Sequence, residues 1–180
     1  MEWRLQQFIS SAKKINSMEW KLKKYKSESS SWFAELAGAI GKGLMAGAAG
    51  TLAITLSQMI EMKITKRKPS SEPADAAQKV LEVKPETEED KQQFSQQVHW
   101  AYGTSWGVPR GILSLLGLKG LPATAIHFAT IYSTALIMPT QLKVAPPLKE
   151  WSAKEFVIDA LHHAVYAIAA GLVFDAMSGD

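Results

Sequence analysis

Residues 43–60 read GLMAGAAGTLAITLSQMI, 18 consecutive residues that carry no formal charge. As a helix they rise about 27 Å, and with their flanking residues they reach across a hydrocarbon core of about 30 Å. A helix in a soluble bundle normally keeps a polar face opposite its apolar stripe. These residues have almost none, which favours a membrane-spanning helix over a core helix of a soluble protein.

Two later segments have the same character. Residues 121–139 contain no Asp, Glu, Lys or Arg and a single histidine, His127, and Pro139 is expected to end that helix. Residues 152–177 form a second apolar run. Its first residue, Ser152, is followed three positions later by Glu155, which is the spacing of a helix-capping box.

A fourth segment, residues 94–118, contains Pro109 and Arg110 but is rich in aromatic residues and glycine. That composition is poorly suited to a soluble loop. We therefore predict an all-α fold, a membrane-embedded four-helix bundle. Its predicted spans are residues 32–61, 94–118, 121–139 and 152–177.

The charges are concentrated outside these spans. Residues 1–31 carry seven Lys/Arg against three Asp/Glu, and residues 62–93 carry seven of each. The first segment is expected to form an amphipathic helix at the membrane surface, with a solvated basic tail as the alternative. The second is predicted to be a polar linker. From Thr87 onward it is either a capped helix that continues into the second span or a flexible acidic loop.

Small residues recur every four positions in three of the spans. In lipid, helices associate by close backbone approach over such residues, because no hydrophobic gain drives them together. These faces are therefore predicted to be helix–helix seams, within the chain or with a partner. The predicted packing positions are Gly43, Gly47, Gly103, Gly107, Gly111, Ala167 and Gly171.

The second and fourth spans also share a pattern. His99-x-x-Tyr102-Gly103 corresponds to His163-x-x-Tyr166-Ala167. The pattern indicates two repeated helical hairpins, in which the second and fourth helices run parallel and the two histidines lie level. The same offset places Arg110 beside Asp175, so an ion pair is expected between them.

Polar groups at membrane depth are costly and need a partner or water. Two groups of them are predicted: Arg110 with Asp175 toward the cytoplasmic side, and a larger cluster toward the other side. Within the larger cluster, Asp159 and His163 are four residues apart, so they share a helix face and can hydrogen-bond. The predicted intramembrane polar residues are Gln58, Glu61, His99, Arg110, Asp159, His162, His163 and Asp175.

All four histidines lie in apolar segments. His99 and His163 are candidate ligands for a haem iron or another metal. The alternative is that they hydrogen-bond across helix seams, and we expect no cofactor. The chain contains no cysteine, Gly-rich phosphate loop, serine nucleophile elbow or His-Glu-x-x-His pair, so no enzyme class is indicated.

The order of these features resembles small multi-pass bacterial membrane proteins of the YagU-like type. The features are Gly43-x-x-x-Gly47, a proline-containing polar linker, an aromatic glycine-rich helix and a final His-Tyr-Gly helix. The resemblance covers residues 34–177 and implies a bacterial inner-membrane location. It carries no functional residue over to this chain.

Taken together, the sequence predicts a non-enzymatic, multi-pass protein of the inner (plasma) membrane with both termini in the cytoplasm. Its expected partners are the lipid bilayer and other membrane protein subunits, as an accessory or scaffolding subunit of a larger complex. No nucleic-acid binding is expected, because no basic patch interleaved with aromatic residues recurs beyond the N-terminus. The alternatives are a haem or metal protein in electron transfer and a small transporter or proton conductor.

Overall fold

A computed structural model describes the backbone of residues 2–179 and the side chains of residues 18–27 and 29–179. This part of the chain is all-helical and contains no strand. Its helices are α1 (Glu2–Thr65), α2 (Glu72–Leu81), α3 (Glu88–Ser105), α4 (Gly107–Leu115), α5 (Gly120–Gln141) and α6 (Ala153–Ser178), with a 3₁₀ turn at Leu148–Glu150. The chain divides into two units, Met1–Gly38 and Ala39–Asp180.

Within the described residues, three helical stretches are long and apolar enough to cross a membrane. They are Met18–Thr65, Gly120–Gln141 and Ala153–Ser178. They cover three of the four predicted spans, the last of them except for its first residue, Ser152. The amphipathic stripe expected near the N-terminus falls on side chains of residues 1–17, which lie outside those that the structure describes.

The prediction of one continuous helix over residues 94–118 is wrong. Helix α3 begins at Glu88, as the capped-helix alternative predicted, but the helical path breaks at Trp106 before α4 begins. Pro109 lies in the first turn of α4, where its missing N–H and fixed φ are tolerated, whereas in mid-helix it would remove a backbone hydrogen bond. The proline therefore starts a new helix instead of interrupting one long helix.

The capping predictions are confirmed. The Thr87 hydroxyl accepts a hydrogen bond from the Asp90 backbone N–H, and the Asp90 carboxylate accepts one in return from the Thr87 N–H. Ser152 and Glu155 form the same reciprocal pair at the start of α6. Pro139, however, does not end its helix, because α5 continues to Gln141. A proline this near a helix end removes only one bond of the last turn.

Helix α2 lies in the region predicted to be a linker. Its start carries Pro73 at an early helical position and two acidic residues in the first turn, Glu72 and Asp75, and both features favour a helix N-terminus. Ala74 and Ala76 are buried on one face, and the Lys79 ammonium donates a hydrogen bond of 2.7 Å to the Leu142 carbonyl at the end of α5. The linker is thus partly folded onto the helical core.

Candidate functional site

Glycines bring α1 into backbone contact with α3 and α4. A Cβ atom placed on Gly47 would lie 2.9 Å from the Gly107 backbone nitrogen, and one placed on Gly111 would lie 2.8 Å from the Ala39 carbonyl carbon. A Cβ on Gly43 would meet the Gly107 carbonyl. Because backbone cannot move aside as a flexible side chain can, only glycine fits at these positions. The predicted seam therefore forms within the chain.

The same seam has a regular antiparallel register. Ala39 meets Gly111, Gly43 meets Gly107, and farther along α1 Thr51 meets Gly103. Thr55 and His99 continue the series through a side-chain contact of 2.8 Å. Along α1 the contacts thus pass from glycine backbones to threonine side chains. The two remaining predicted packing positions, Ala167 and Gly171 on α6, are also buried, with Gly171 against the Thr124 side chain of α5.

The expected contact between Arg110 and Asp175 is present. The Arg110 Nη2 atom donates to the Asp175 carboxylate, and the guanidinium carbon lies 4.4 Å from the centre of the Phe174 ring. Arg110 is fully buried. Its Nε and Nη1 atoms have no hydrogen-bond partner among the described residues, so Asp175 supplies the charge compensation for this buried cation.

A second contact fixes the direction of α6 relative to α3. The Tyr166 hydroxyl donates a hydrogen bond of 2.6 Å to the Gly103 carbonyl, across 63 residues, and Arg110 and Asp175 are separated by 65. The number of residues between contacting partners stays nearly constant from the first contact to the second. Helix α6 therefore runs in the same direction as α3 and α4, as the sequence pattern indicated. The two tyrosines that correspond in this pattern differ in burial, however: Tyr166 is 3% exposed, whereas Tyr102 is 38% exposed.

His99 and His163 both make hydrogen bonds to neighbouring groups. The Thr55 hydroxyl donates to the Thr51 carbonyl at 2.6 Å, so His99 Nε2 is the donor in its 2.8 Å contact with Thr55. His163 Nδ1 donates to the backbone carbonyl of Asp159 at 2.8 Å, and the Asp159 carboxylate lies 3.6 Å away. The pair shares a helix face, as predicted, but the hydrogen bond goes to the carbonyl.

The other two histidines, like His99, make hydrogen bonds to a neighbouring helical segment. His127 Nε2 on α5 donates to the Trp106 carbonyl at the α3–α4 break, at 2.7 Å. His162 Nδ1 is hydrogen-bonded to the Ser57 hydroxyl at 2.8 Å. Both residues are buried. Each therefore joins its own helix to another through a polar contact in the interior.

Residues 18–179, apart from Glu28, contain no group of three or more His, Cys, Asp or Glu side chains placed to hold a metal ion. His99 and His163 do line one cavity. Ligation of a haem iron by both would use the nitrogens not engaged above, His99 Nδ1 and His163 Nε2. The haem and transport alternatives stay predictions.

Two adjoining cavities lie beside the polar residues Gln58, His99 and Asp159. The sequence did not predict them. One of them, named here the inner cavity, has a volume of 510 Å³ and is mostly apolar. The other, named the outer cavity, has a volume of 660 Å³ and is more polar. Both are partly open. The residues that line both are Gln58, Ser70, Glu72, Pro73, His99, Trp151 and Asp159.

The carboxylates at these cavities differ in their hydrogen bonds. Glu61 accepts hydrogen bonds from Arg67 Nε at 3.1 Å and from Arg67 Nη2 at 2.8 Å. Glu72 has no such partner in the part of the chain that is described. Partial burial, together with the charge of Asp159, raises the pKa of Glu72 above its ordinary value. The site therefore holds at least one carboxylate that accepts no hydrogen bond from the described residues.

No protein-family model, curated protein or solved structure matches the chain.

Proposed function

We propose that this chain is a non-enzymatic, multi-pass membrane protein that serves as an accessory or scaffolding subunit of a larger membrane complex. The observation that carries the proposal is an uncovered apolar stripe on α1. Met18, Leu22, Tyr25 and Trp32 follow helical spacing on one face, and their exposed fractions are 56%, 63%, 73% and 55%. Large exposed apolar patches mark sites of interaction with proteins or membranes.

The distribution of polar and apolar side chains supports membrane embedding. Arg110, His127 and Thr51 are among the largest fully buried side chains. Leu121 and Leu172, on helices long enough to cross a bilayer, are 81% and 67% exposed. A soluble protein places charged residues such as arginine almost entirely outside, whereas lipid accepts apolar side chains and makes exposed charges costly. This arrangement supports apolar surfaces that face lipid.

The same reasoning supports four passes, with α3 and α4 together forming the broken one. The break at Trp106 is compatible with membrane depth because its carbonyl accepts the His127 hydrogen bond, and irregular backbone in a bilayer must be satisfied within the protein. An even number of passes puts both termini on one side. The basic N-terminal segment favours the cytoplasmic side of a bacterial inner membrane.

Basic residues flank the apolar stripe. Lys21, Lys23, Lys24 and Lys26 lie between Trp20 and Ser27. A partner that docks there is therefore expected to offer an apolar groove with acidic edges, as grooves that bind amphipathic helices do.

The proposal is tested by a tagged pull-down from native membranes in mild detergent, with the stoichiometry of the eluted proteins measured. A partner present in fixed ratio is expected with the natural chain. It should be lost when Leu22, Tyr25 and Trp32 are together replaced by Ser. It should be retained when Trp20, an exposed aromatic residue off the stripe, is replaced by Ser. Elution of the natural chain as a lone monomer would refute the subunit proposal.

A further inference from the structure

The inner cavity has the walls of a small-molecule site. Ile54, Ile131 and Met138 supply aliphatic surface, and Trp106 and Tyr166 supply aromatic surface. Its volume of 510 Å³ falls within the range of about 300–1,000 Å³ that is usual for ligand pockets. An occupant of this compartment would therefore have an apolar body of small-molecule size.

The rim between the two cavities is acidic. Glu72 from α2 and Asp159 from α6 line both compartments, and their charges interact. No hydrogen bond to either carboxylate comes from the described side chains or backbone, and the nearest basic atom to Asp159, His163 Nδ1, is 3.6 Å from it. Two carboxylates that face a shared space favour a cation placed between them.

The positive groups nearby are already engaged. Arg67 donates through Nε and Nη2 to Glu61 and through Nη1 to the Lys68 carbonyl. His99 donates to Thr55. Trp151 also lines both compartments, and an indole face attracts a cation that lies over it. The charge at the rim is therefore complementary to a positively charged ligand.

An unpartnered side chain points to the same kind of ligand. His162 lines the outer compartment and is 3% exposed. Its Nε2 atom has no hydrogen-bond partner among the described residues, and the nearest carboxylate oxygen, on Glu61, is 4.0 Å away. A buried polar atom without a partner costs free energy. In the neutral tautomer whose Nδ1 donates to Ser57, this nitrogen is an acceptor, and a ligand headgroup with N–H donors would satisfy it.

We propose that the two compartments form one binding site for a lipophilic amine. The apolar body occupies the inner cavity between Ile54 and Ile131. The protonated amine lies at the rim between Glu72 and Asp159. This site is independent of the α1 stripe, so it stands or falls separately from the subunit proposal.

Two probes of matched shape and opposite charge test the site. The purified full-length chain in detergent micelles is titrated with 1-naphthylmethylammonium and, separately, with 1-naphthaleneacetate. Binding is followed by equilibrium dialysis, and the signal of protein-free micelles is subtracted. The cation is expected to bind saturably with one site per chain, and at least tenfold more tightly than the anion.

Substitutions then locate the binding. Asp159→Asn and Glu72→Gln are each expected to weaken cation binding at least tenfold. Ala135→Leu, which fills the inner cavity, should weaken it by a similar factor. Glu89→Gln removes one charge from an exposed position in the first turn of α3 and should change it less than twofold. Helix content and elution volume are measured for every variant. A misfolded variant is thereby recognised, and the folded variants show where the cation binds.

Equal affinity for the two probes would overturn the proposal, since it would show an apolar cavity without charge selectivity. Absence of saturable cation binding would overturn it as well. So would unchanged affinity in folded Asp159→Asn and Glu72→Gln variants, because the amine would then lie elsewhere.

Discussion

Helices α1 and α3–α4 meet in two different ways along one interface. From Ala39 to Gly47, glycine lets the backbones of α1 and α4 touch, and the ion pair of buried Arg110 with partly exposed Asp175 lies at this end. From Thr51 to Thr55, hydroxyl side chains stand between the helices. The two cavities open beside this second stretch.

The difference shows how the residue at every fourth position sets the local architecture. Where it is glycine, the helices are held by dispersion contacts that need close approach. Where it is threonine, a side chain lies between the helices: Thr51 packs against Gly103, and Thr55 is hydrogen-bonded to His99. The ligand-sized cavities lie beside this stretch. A close-packed end and an open end are thus built from one repeated spacing, and three substitutions can separate their contributions.

The largest effect is expected from Asp175→Ala at the close-packed end. The variant leaves the Arg110 cation buried without a counter-charge, and loss of one partner of a buried pair typically costs about 3–5 kcal/mol of unfolding free energy. Thermal unfolding in detergent, followed by circular dichroism, measures the change. The double variant Arg110→Met/Asp175→Ala should regain most of the stability, because an apolar pair leaves no buried charge. A single variant as stable as the natural chain would contradict the role given to this pair.

A smaller loss is expected from Gly107→Ala. The added methyl group meets the Gly43 carbonyl, and such overpacking costs about 1–3 kcal/mol. Gly41→Ala is the matched control, since a Cβ at Gly41 meets nothing within 4 Å. It should stabilise the helix slightly, by about 0.5–1 kcal/mol. Equal melting temperatures for the two variants would show that the seam is not close-packed.

The smallest effect concerns Glu72 at the open end. Its raised folded-state pKa means that the folded chain binds this proton more tightly than the unfolded chain. The group therefore favours folding below its unfolded pKa, and this contribution is lost as the pH rises through the folded pKa. Glu72→Gln should be slightly more stable than the natural chain at neutral pH, by less than about 1 kcal/mol, because water screens a partly exposed carboxylate.

That stability gain should shrink as the pH is lowered and the natural Glu72 becomes protonated. Melting temperatures of both chains across the acidic range measure it, with Glu89→Gln as the control for removal of a carboxylate from the surface. A gain that grows toward acidic pH would mean that the sign assigned to Glu72 is wrong.

Some of these contacts could be predicted because helical periodicity carries information over long distances. Once His99 and His163 were aligned, a constant offset along two parallel helices placed Arg110 near Asp175, and the contact is present. The glycines at positions 43, 47 and 107 could be predicted to lie at a helix–helix seam, because small residues at this spacing are typical of helices that pack closely in lipid. Thr87 and Ser152 could likewise be predicted to begin helices, since a capping box is contained within four residues.

Other features depend on how distant segments meet. Helix α2 is short and weakly apolar, so its start signal at Pro73 was outweighed by the polarity of residues 62–93. The cavities are spaces between helices, and no single segment encodes them. The break at Trp106 follows from Pro109, but whether a proline kinks a helix or begins a new one depends on the partners available to the freed backbone groups.

That break also bears on how the chain would enter a bilayer. Its Trp106 carbonyl is bonded by His127, a side chain that leaves the ribosome some twenty residues later. Until then the broken segment would expose an additional polar group to lipid. In the proposed four-pass arrangement, membrane integration of α3 and α4 is therefore expected to wait for α5, so that the three helices leave the insertion machinery together.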